Sequence, residues 1–500
     1  MLSYRPQPAA VGHARPFDIS EGTETLVDAF EVRGDWWLPG SPHPKVAGTL
    51  KFDPEEGARL ELMGSLDGPG RIEFGPHPVV LGESLARTAV TLTGCSGGFP
   101  NQMTGRLSCD YEPSVVFRGS HFTSIDGINL NSLRVSYDCL SAWMQLEPIK
   151  ESEGAEGPTQ LHFLQEGSAS HQLDGGTLAF HVQPKIEKEP GNFSIRARAC
   201  VEFTPNQPSH YSDLLRRFVY PMQNLLSLAM DMEARPLSME GKASRGPSGE
   251  KPVWISYQDH FHSMLRPKPK YVRTPVVFGL GSLGADATMY LRNWFGKADK
   301  LKPVCDLFFG VAHHPLMYSS LRFLTYCQAL ETYHRGRPGG VYMSNQDFAD
   351  VLCRICAAIP EGLPVELGDS IRSRLGHSYE FSLRDRLRQI MGAFWPRVKL
   401  GFRGASGVSI VDAERLVDLI VKTRNALTHK GKIPDNIKDE YVWHASQLLK
   451  MLIECVLLTE MGMTLEQLRE FVGPTRYLHS FDALAREFAA TSEPSEFGGQ

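Results

Sequence analysis

Apolar residues change their spacing between the two parts of this chain. From about residue 32 to 203, short runs alternate apolar and polar residues, and Gly, Pro and Asp separate them. That alternation is typical of half-buried β-strands. From about residue 316 onward, apolar residues recur every three or four positions, as they do on amphipathic helices. Alternation does not suit a helix, and a spacing of three or four residues does not suit a strand. The sequence therefore predicts an α+β protein of several domains. A β-rich sandwich or barrel-like region comes first, and an all-helical bundle follows it.

The β-rich part contains one clear hairpin. Residues 49–52 and 59–63 alternate in polarity, and the turn-forming residues 53–57 join them. Trp36 and Trp37 stand just before this hairpin, and we expect them in a buried core rather than on a binding platform. Further strand-like runs lie at 79–81, 90–93, 114–117, 133–137, 161–164, 178–182 and 194–203.

Helix start signals recur in the second part. Ser344, Ser382, Ser409 and Thr464 are each followed three positions later by Asp or Gln and then by an apolar periodic run, as in capping boxes. Short connections favour antiparallel neighbours in a bundle. The predicted helices are 316–335, 345–358, 383–394, 410–429, 438–461 and 465–472. An earlier helix, at 212–232, is predicted to kink at Pro221.

These changes of pattern divide the chain into five segments. They are an N-terminal extension (1–30), a β-rich domain (31–205), a mixed α/β connecting region (206–304) whose segment 234–252 reads as an exposed loop, a helical bundle (305–480), and a partly disordered tail (481–500).

Charge and cysteine content exclude several classes of protein. The net charge is −5, whereas a protein that coats nucleic acid non-specifically is basic, so any RNA site must be a local basic pocket. Nine scattered cysteines, an odd number, favour a reduced, cytoplasmic protein. No run approaches the ~20 apolar residues of a membrane span, and residues 1–17 lack the apolar core of a signal peptide.

One helix end concentrates residues suited to phosphate chemistry. Arg424 and Asn425 precede His429 by five and four positions, and Gly431 follows as a helix stop. A histidine can move protons near neutral pH, and an arginine stays charged against a phosphate. Roughly one Arg-x4-His is expected by chance in such a chain, and a second match joins Arg372 to His377.

The same helix end has a purely structural explanation. His429, Lys430 and Lys432 place positive charge where the helix dipole favours it, by a few tenths of a kcal/mol up to ~1 kcal/mol. Arg424 and His429 would also lie ~140° apart around an ideal helix, so they would not stack on one another.

Three other motifs are weaker. The Gly-x-Ser-x-Gly run at 94–98 lacks the helix that a nucleophile elbow needs, so we expect a turn. The Gly-x-Gly-x-x-Gly run at 279–284 stands outside any βαβ alternation; a glycine-rich turn is expected, with a nucleotide-dependent enzyme as an alternative. Cys353 and Cys356 have no second pair for zinc. We predict no cofactor and no metal.

The helical block at 305–480 resembles a HEPN domain, whose ribonuclease members use Arg-x4–6-His with a polar residue after the arginine. The run 323–331 resembles the first helix of the ApeA-type HEPN subgroup, and 34–40, 48–52 and 60–64 resemble the opening of the ApeA N-terminal domain. This resemblance implies a prokaryotic anti-phage, abortive-infection protein with a metal-independent endoribonuclease that leaves a 2′,3′-cyclic phosphate.

The resemblance also assigns roles. His429 would be the general acid and base, Arg424 would stabilise charge at phosphorus, and Asn425 would orient the histidine or the phosphate by hydrogen bonding. RNA would meet Lys422, Lys430 and Lys432. The implied partners are RNA, with tRNA as one candidate, a phage-encoded trigger protein, and further copies of the chain in a homodimer or higher even oligomer, with no membrane. The alternative is a non-catalytic HEPN scaffold that binds RNA or a protein.

Overall fold

A computed structural model describes most of the chain between residues 26 and 484. The described ranges are 26, 28–68, 76–101, 108–145, 149–152, 160–163, 169–189, 192–244, 249–257, 276–312, 314, 317–360, 362–398, 413–433, 438–472, 476–477, 479–480 and 482–484. Contacts group them into two compact units, Met1–Leu133 with Leu237–Lys268, and Arg134–Pro236 with Pro269–Gln500. The division into five segments stays a prediction. The two units are defined by contacts, and each combines two separate stretches of the chain, so they do not test where the segments begin and end.

The described strands fall almost entirely in the first half of the chain. In chain order they are β1 (Phe30–Trp37), β2 (Val46–Asp53), β3 (Gly57–Leu62), β4 (His77–Ser84), β5 (Ala89–Asn101), β6 (Ser108–Glu112), β7 (Val115–Arg118), β8 (Asn129–Leu130), β9 (Ser132–Tyr137), β10 (Ile149–Ser152), β11 (Gln160–Phe163), β12 (Ser170–Leu173), β13 (Gly176–Glu189), β14 (Asn192–Pro205), β15 (Ser209–His210), β16 (Pro236–Ser244) and β17 (Glu250–Tyr257).

The longer helices follow the strands. In chain order the α-helices are α1 (Leu140–Trp143), α2 (Tyr211–Leu214), α3 (Tyr220–Met230), α4 (Ala287–Gly296), α5 (Ala298–Ala312), α6 (Ser319–Arg335), α7 (Asn345–Ala357), α8 (Val365–Leu375), α9 (Leu383–Val398), α10 (Ala413–Lys430), α11 (Asp439–Met461) and α12 (Leu465–Phe471).

A closed barrel forms the core of the first unit. Six strands pair in the order β5-β4-β1-β2-β3-β6, and β6 pairs back to β5. The predicted hairpin is confirmed, since β2 and β3 pair antiparallel and close at Asp53 and Gly57. Trp36 is fully buried, as predicted, and its ring packs so closely on Gly82 that a Cβ there would lie 2.3 Å away. The predicted fold class, β-rich first and a helical bundle after it, is confirmed.

The segment 234–252 is not an exposed loop, as its composition had predicted. It forms most of the antiparallel pair β16 and β17. Along β16, Met239, Gly241 and Ala243 are buried in alternation with partly exposed polar neighbours. Its buried residues are small or unbranched, so the alternation was hidden beneath a turn-like composition.

The second unit combines a sheet with the helices. β12, β13 and β14 pair antiparallel in that order. α11 is the central helix, and most of its residues are buried. It is also the one described helix that is long and apolar enough to cross a membrane, but 78% of its most apolar stretch is buried inside the protein. Such burial is that of a core helix.

Most helix predictions are confirmed, including their start signals. The side-chain oxygens of Ser344, Ser382 and Thr464 each accept a hydrogen bond from the backbone N–H three residues later, at 3.1, 3.3 and 3.3 Å. Ser409 and the predicted start at 410 lie outside the described residues. Instead of a kink at Pro221 itself, a π-helical turn at Leu215–Val219 comes just before that proline, where the ring would obstruct an ordinary turn.

Four described helices, α1, α4, α5 and α8, were not predicted; α1 is a single turn. α4 and α5 start the helical region well before residue 316, and α5 contains Pro303 in its interior. α8 fills a stretch whose apolar residues follow no clear period. Only Gly368 of α8 is buried, so tertiary packing imposed almost no pattern on its sequence.

Candidate functional site

Arg424, Asn425 and His429 all lie on α10. The helix is held in the unit by its buried face, which includes Leu416 and Ile420. Leu427, in the last two turns, is only partly buried. The last turns of α10 therefore leave the core, and the side chains of the motif reach solvent there.

His429 occupies the last turn of α10. Its side chain is exposed, and it makes no hydrogen bond or ion pair among the described residues. Gly431, with a φ of +65°, adopts the left-handed conformation that ends a helix after it. The imidazole is thus accessible to a substrate.

Arg424 is half-buried and more constrained. One guanidinium nitrogen donates to the Asn425 side-chain oxygen at 3.2 Å, and another lies 3.9 Å from a carboxylate oxygen of Glu331 on α6. The Arg424 carbonyl accepts a hydrogen bond from the Thr428 hydroxyl at 2.8 Å. Arg424 and Asn425 are therefore coupled directly. Five residues of helix separate Arg424 from His429, which places the two side chains ~140° apart.

Glu331 is a residue of the site that the sequence did not single out. Its carboxylate is 13% exposed and also accepts hydrogen bonds from Arg335, at 3.1 and 3.3 Å. It stands one turn before the end of α6, in the run that resembles the ApeA-type first helix. An acidic residue on a mostly apolar helix face was the signal that could have indicated it.

An alternating series of charges continues from Glu331 away from α10. Arg335 also donates to Glu380, and Glu380 accepts from Arg386 at 3.2 Å. Arg386 is almost fully buried and contacts the His334 ring at 3.3 Å. Burial lowers the pKa of His334, so this imidazole is held neutral. Arg335 thus binds one carboxylate oxygen of Glu331, and Arg424 lies near the other.

A cysteine beneath the motif is inert. Cys327 lies one turn before Glu331 on α6 and is buried. Burial raises the pKa of its thiol; Arg424 opposes the shift, and Glu331 adds to it. The sulfur therefore stays protonated and is no nucleophile.

The three lysines that were predicted to meet RNA are all exposed. Lys422, Lys430 and Lys432 lie on the second half of α10 or just beyond it. Their positive charge surrounds the exposed His429, in a chain whose net charge is negative. This end of α10 is a local basic surface.

The second Arg-x4-His match differs in its contacts. Arg372 is on α8 and pairs with Asp369 at 3.1 Å, so its charge is already neutralised. His377 lies in the following turn, as predicted, and is 79% exposed. Its nearest carboxylate, Glu380, is engaged by two arginines.

The weaker motifs are structural. Residues 94–98 run within β5, with no helix after the serine. Residues 276–278, just before the 279–284 run, form no strand, and the run enters the short 3-10 helix Gly281–Asp286. A Cβ on Gly279 would lie 2.7 Å from the side chain of Gln145, so the glycine there permits packing. Among the residues that the structure describes, no group of three or more His, Cys, Asp or Glu side chains could hold a metal.

Two family models match the chain. ApeA N-terminal domain 1 matches residues 31–294, a little over half of the chain. Apea-like HEPN matches residues 324–467, which include Glu331 and all of α10. No curated protein and no solved structure matches the sequence.

Proposed function

The chain belongs to the ApeA family, and from that premise we propose that it is a metal-independent HEPN endoribonuclease acting in anti-phage defence by abortive infection. One observation carries the proposal. Within the HEPN region, the helix end that bears Arg424 and Asn425 also bears an exposed His429 among exposed lysines.

The chemistry follows from the side chains. His429 takes the proton from an RNA 2′-hydroxyl, and the 2′-oxygen attacks the adjacent phosphorus. The bond from phosphorus to the 5′-oxygen breaks, and that oxygen receives a proton from an imidazolium. Arg424 stabilises the charge that develops on the phosphoryl oxygens, and Asn425 orients the guanidinium. The products are a 2′,3′-cyclic phosphate and a 5′-hydroxyl.

Two copies of the chain supply a complete cleft in this proposal. Side chains ~140° apart on one helix make a poor pocket, whereas a two-fold axis beside α10 would bring Arg424 of one copy near His429 of another. Two-fold dimers are the commonest oligomers. The working form is therefore a homodimer or a higher even oligomer, and Lys422, Lys430 and Lys432 guide RNA, such as a tRNA, into it.

The β-rich N-terminal region senses infection. An active ribonuclease in the cytoplasm would harm its own cell, so cleavage must await a signal. We assign recognition of a phage-encoded trigger protein to the strands and loops of the barrel region.

RNA cleavage by the purified protein tests this function. Incubation with total tRNA should yield fragments whose 3′ ends resist ligation until the cyclic phosphate is removed. The alternative, a scaffold that binds RNA without cutting it, predicts retention of intact RNA. Bound but uncut RNA, with the trigger present, would favour that scaffold.

Cleavage should persist in excess EDTA. The proposed roles need only an imidazole, a guanidinium and an amide, and no metal-ligating cluster is found among the described residues. Rates measured with EDTA and with added Mg²⁺ should agree. Loss of cleavage in EDTA that Mg²⁺ or Mn²⁺ restores would point to a different nuclease chemistry.

Glu331→Gln should slow cleavage by about ten- to a hundredfold, because the carboxylate orients Arg424 and small misplacements of a catalytic group are costly. Binding of RNA should change little. Glu366→Gln on α8, an exposed position, is the matched control and should leave the rate unchanged. An unaltered or faster rate in Glu331→Gln would show that Glu331 does not position the arginine for catalysis.

A further inference from the structure

Exposed apolar residues concentrate in one short part of the chain. Of the fourteen large hydrophobic residues that are exposed among the described residues, seven lie between positions 341 and 367. Scattered exposed hydrophobics are ordinary, but a concentration marks a surface that another molecule covers.

α7 carries two of them at helical spacing. Val351 and Ile355 are four residues apart, so they lie side by side on one face, and they are 38% and 41% exposed. Phe348 is the only residue of α7 that is buried. The helix is anchored by Phe348 and, in part, by Leu352 and Cys356, and its other side chains are exposed.

Two charged residues flank this face. Asp350 and Arg354 are also four residues apart, the spacing of a helical ion pair. Neither makes an ion pair or hydrogen bond among the residues that the structure describes. By contrast, Lys302 and Asp306, at the same spacing on α5, pair at 2.5 Å. The two charges beside Val351 and Ile355 are therefore available to a partner.

The order of these charges is self-complementary. When two copies of one helix pack antiparallel about a two-fold axis, a residue in the first half of one faces a residue in the second half of the other. An axis near Leu352 places Asp350 of each copy opposite Arg354 of the other. The same axis brings the two Val351 and Ile355 pairs together.

We propose that α7 is an isologous contact between two copies of this chain, with Val351 and Ile355 at its centre and Asp350–Arg354 pairs across it. This contact goes beyond the proposed function, because it involves a different helix from the cleft at α10. A chain with both contacts forms a closed assembly of four copies or a longer even array.

Reversing the charges tests the pairing. Asp350→Arg and Arg354→Asp should each weaken self-association by about tenfold, because like charges then face one another across the axis. The double variant Asp350→Arg/Arg354→Asp should restore it. Light scattering over a dilution series measures the mass. The matched control exchanges Lys302 and Asp306 on α5 and should leave the mass unchanged. Failure of the double variant to recover would overturn the two-fold pairing and indicate an unrelated partner.

A second variant tests the apolar face independently. Val351→Glu/Ile355→Glu should reduce the mass of the assembly by about half, while Met289→Glu, at a similarly exposed helical position on α4, should not. Circular dichroism checks that each variant stays helical. An unchanged mass, or a wild-type protein that is monomeric throughout, would overturn the proposal.

This outcome is distinguishable from failure of the ribonuclease assignment. His429→Ala should keep the wild-type mass even though it tests cleavage. If His429→Ala also keeps full cleavage, the proposed function is wrong. The α7 contact is then still decided by the mass of the α7 variants in light scattering.

Discussion

Replacing His429 with alanine will reduce RNA cleavage by about 10²–10⁴-fold and abolish protection from phage. An imidazole is the only type of side chain in the motif that is suited to act as both general acid and general base. Because the side chain is exposed and makes no hydrogen bond or ion pair with the described residues, its removal should change the melting temperature little. Cleavage of labelled RNA, plaque counts and thermal unfolding measure the three quantities.

His377→Ala is the control for this experiment. That histidine has the same spacing from an arginine and is 79% exposed, but its arginine is paired with Asp369. Protection should survive the change. Protection that survives His429→Ala and is lost in His377→Ala would move the site to the turn after α8.

A fragment of residues 301–500 will fail to fold, although it contains nearly all of the matched HEPN region. The second compact unit includes residues 134–236 and 269–300 as well, and they contact α11 and α12. The Asn293 side chain donates to the Met461 carbonyl at 3.0 Å, and Lys297 pairs with Glu460 at 2.8 Å. These contacts complete the C-terminal end of α11.

A charged cluster joins a second part of the removed residues to α11. Asp231, just after α3, binds Lys450 at 2.5 Å and Arg476 at 2.7 Å. Burial would raise the pKa of Asp231, but these two cations hold it below its usual range. Hydrogen bonds to charged groups contribute about 1.5–3 kcal/mol each, and a whole domain is stable by only about 5–15 kcal/mol. Losing several of them, together with the apolar partners of α11, removes most of that margin.

Residues 134–500 are the matched fragment, since they keep the whole second unit. We expect this fragment to unfold cooperatively and 301–500 to aggregate, as measured by thermal denaturation and light scattering. The fragment 134–500 is also the proper test of the proposed sensing role. Its activity should not change when phage infects the cell. A fragment 301–500 that melts like the full chain would contradict the shared core.

The elements that could be predicted from the sequence are those whose burial imposes a regular spacing of apolar residues. The β2–β3 hairpin, α6 and α11 were found because one face or the whole element is apolar. α8 was missed because almost none of it is buried. β16 was missed because its buried residues are small or unbranched. The roles of Arg424, Asn425 and His429 remain predictions, since no contact joins His429 to the other two. Glu331 could not be assigned from sequence, because its meeting with α10 depends on how two distant helices pack.

The position of α11 near the end of the chain has a consequence for biosynthesis. α4, α6 and α9 all pack against it, yet each is translated earlier, and α11 itself ends at Met461. While the ribosome is still attached, the motif on α10 emerges without its supporting core, since domains complete their folding only when all their parts are available. In the nascent protein, the proposed cleavage site on α10 therefore lacks its supporting core until Met461 has left the ribosome, and a product that terminates before α11 is expected not to cut RNA.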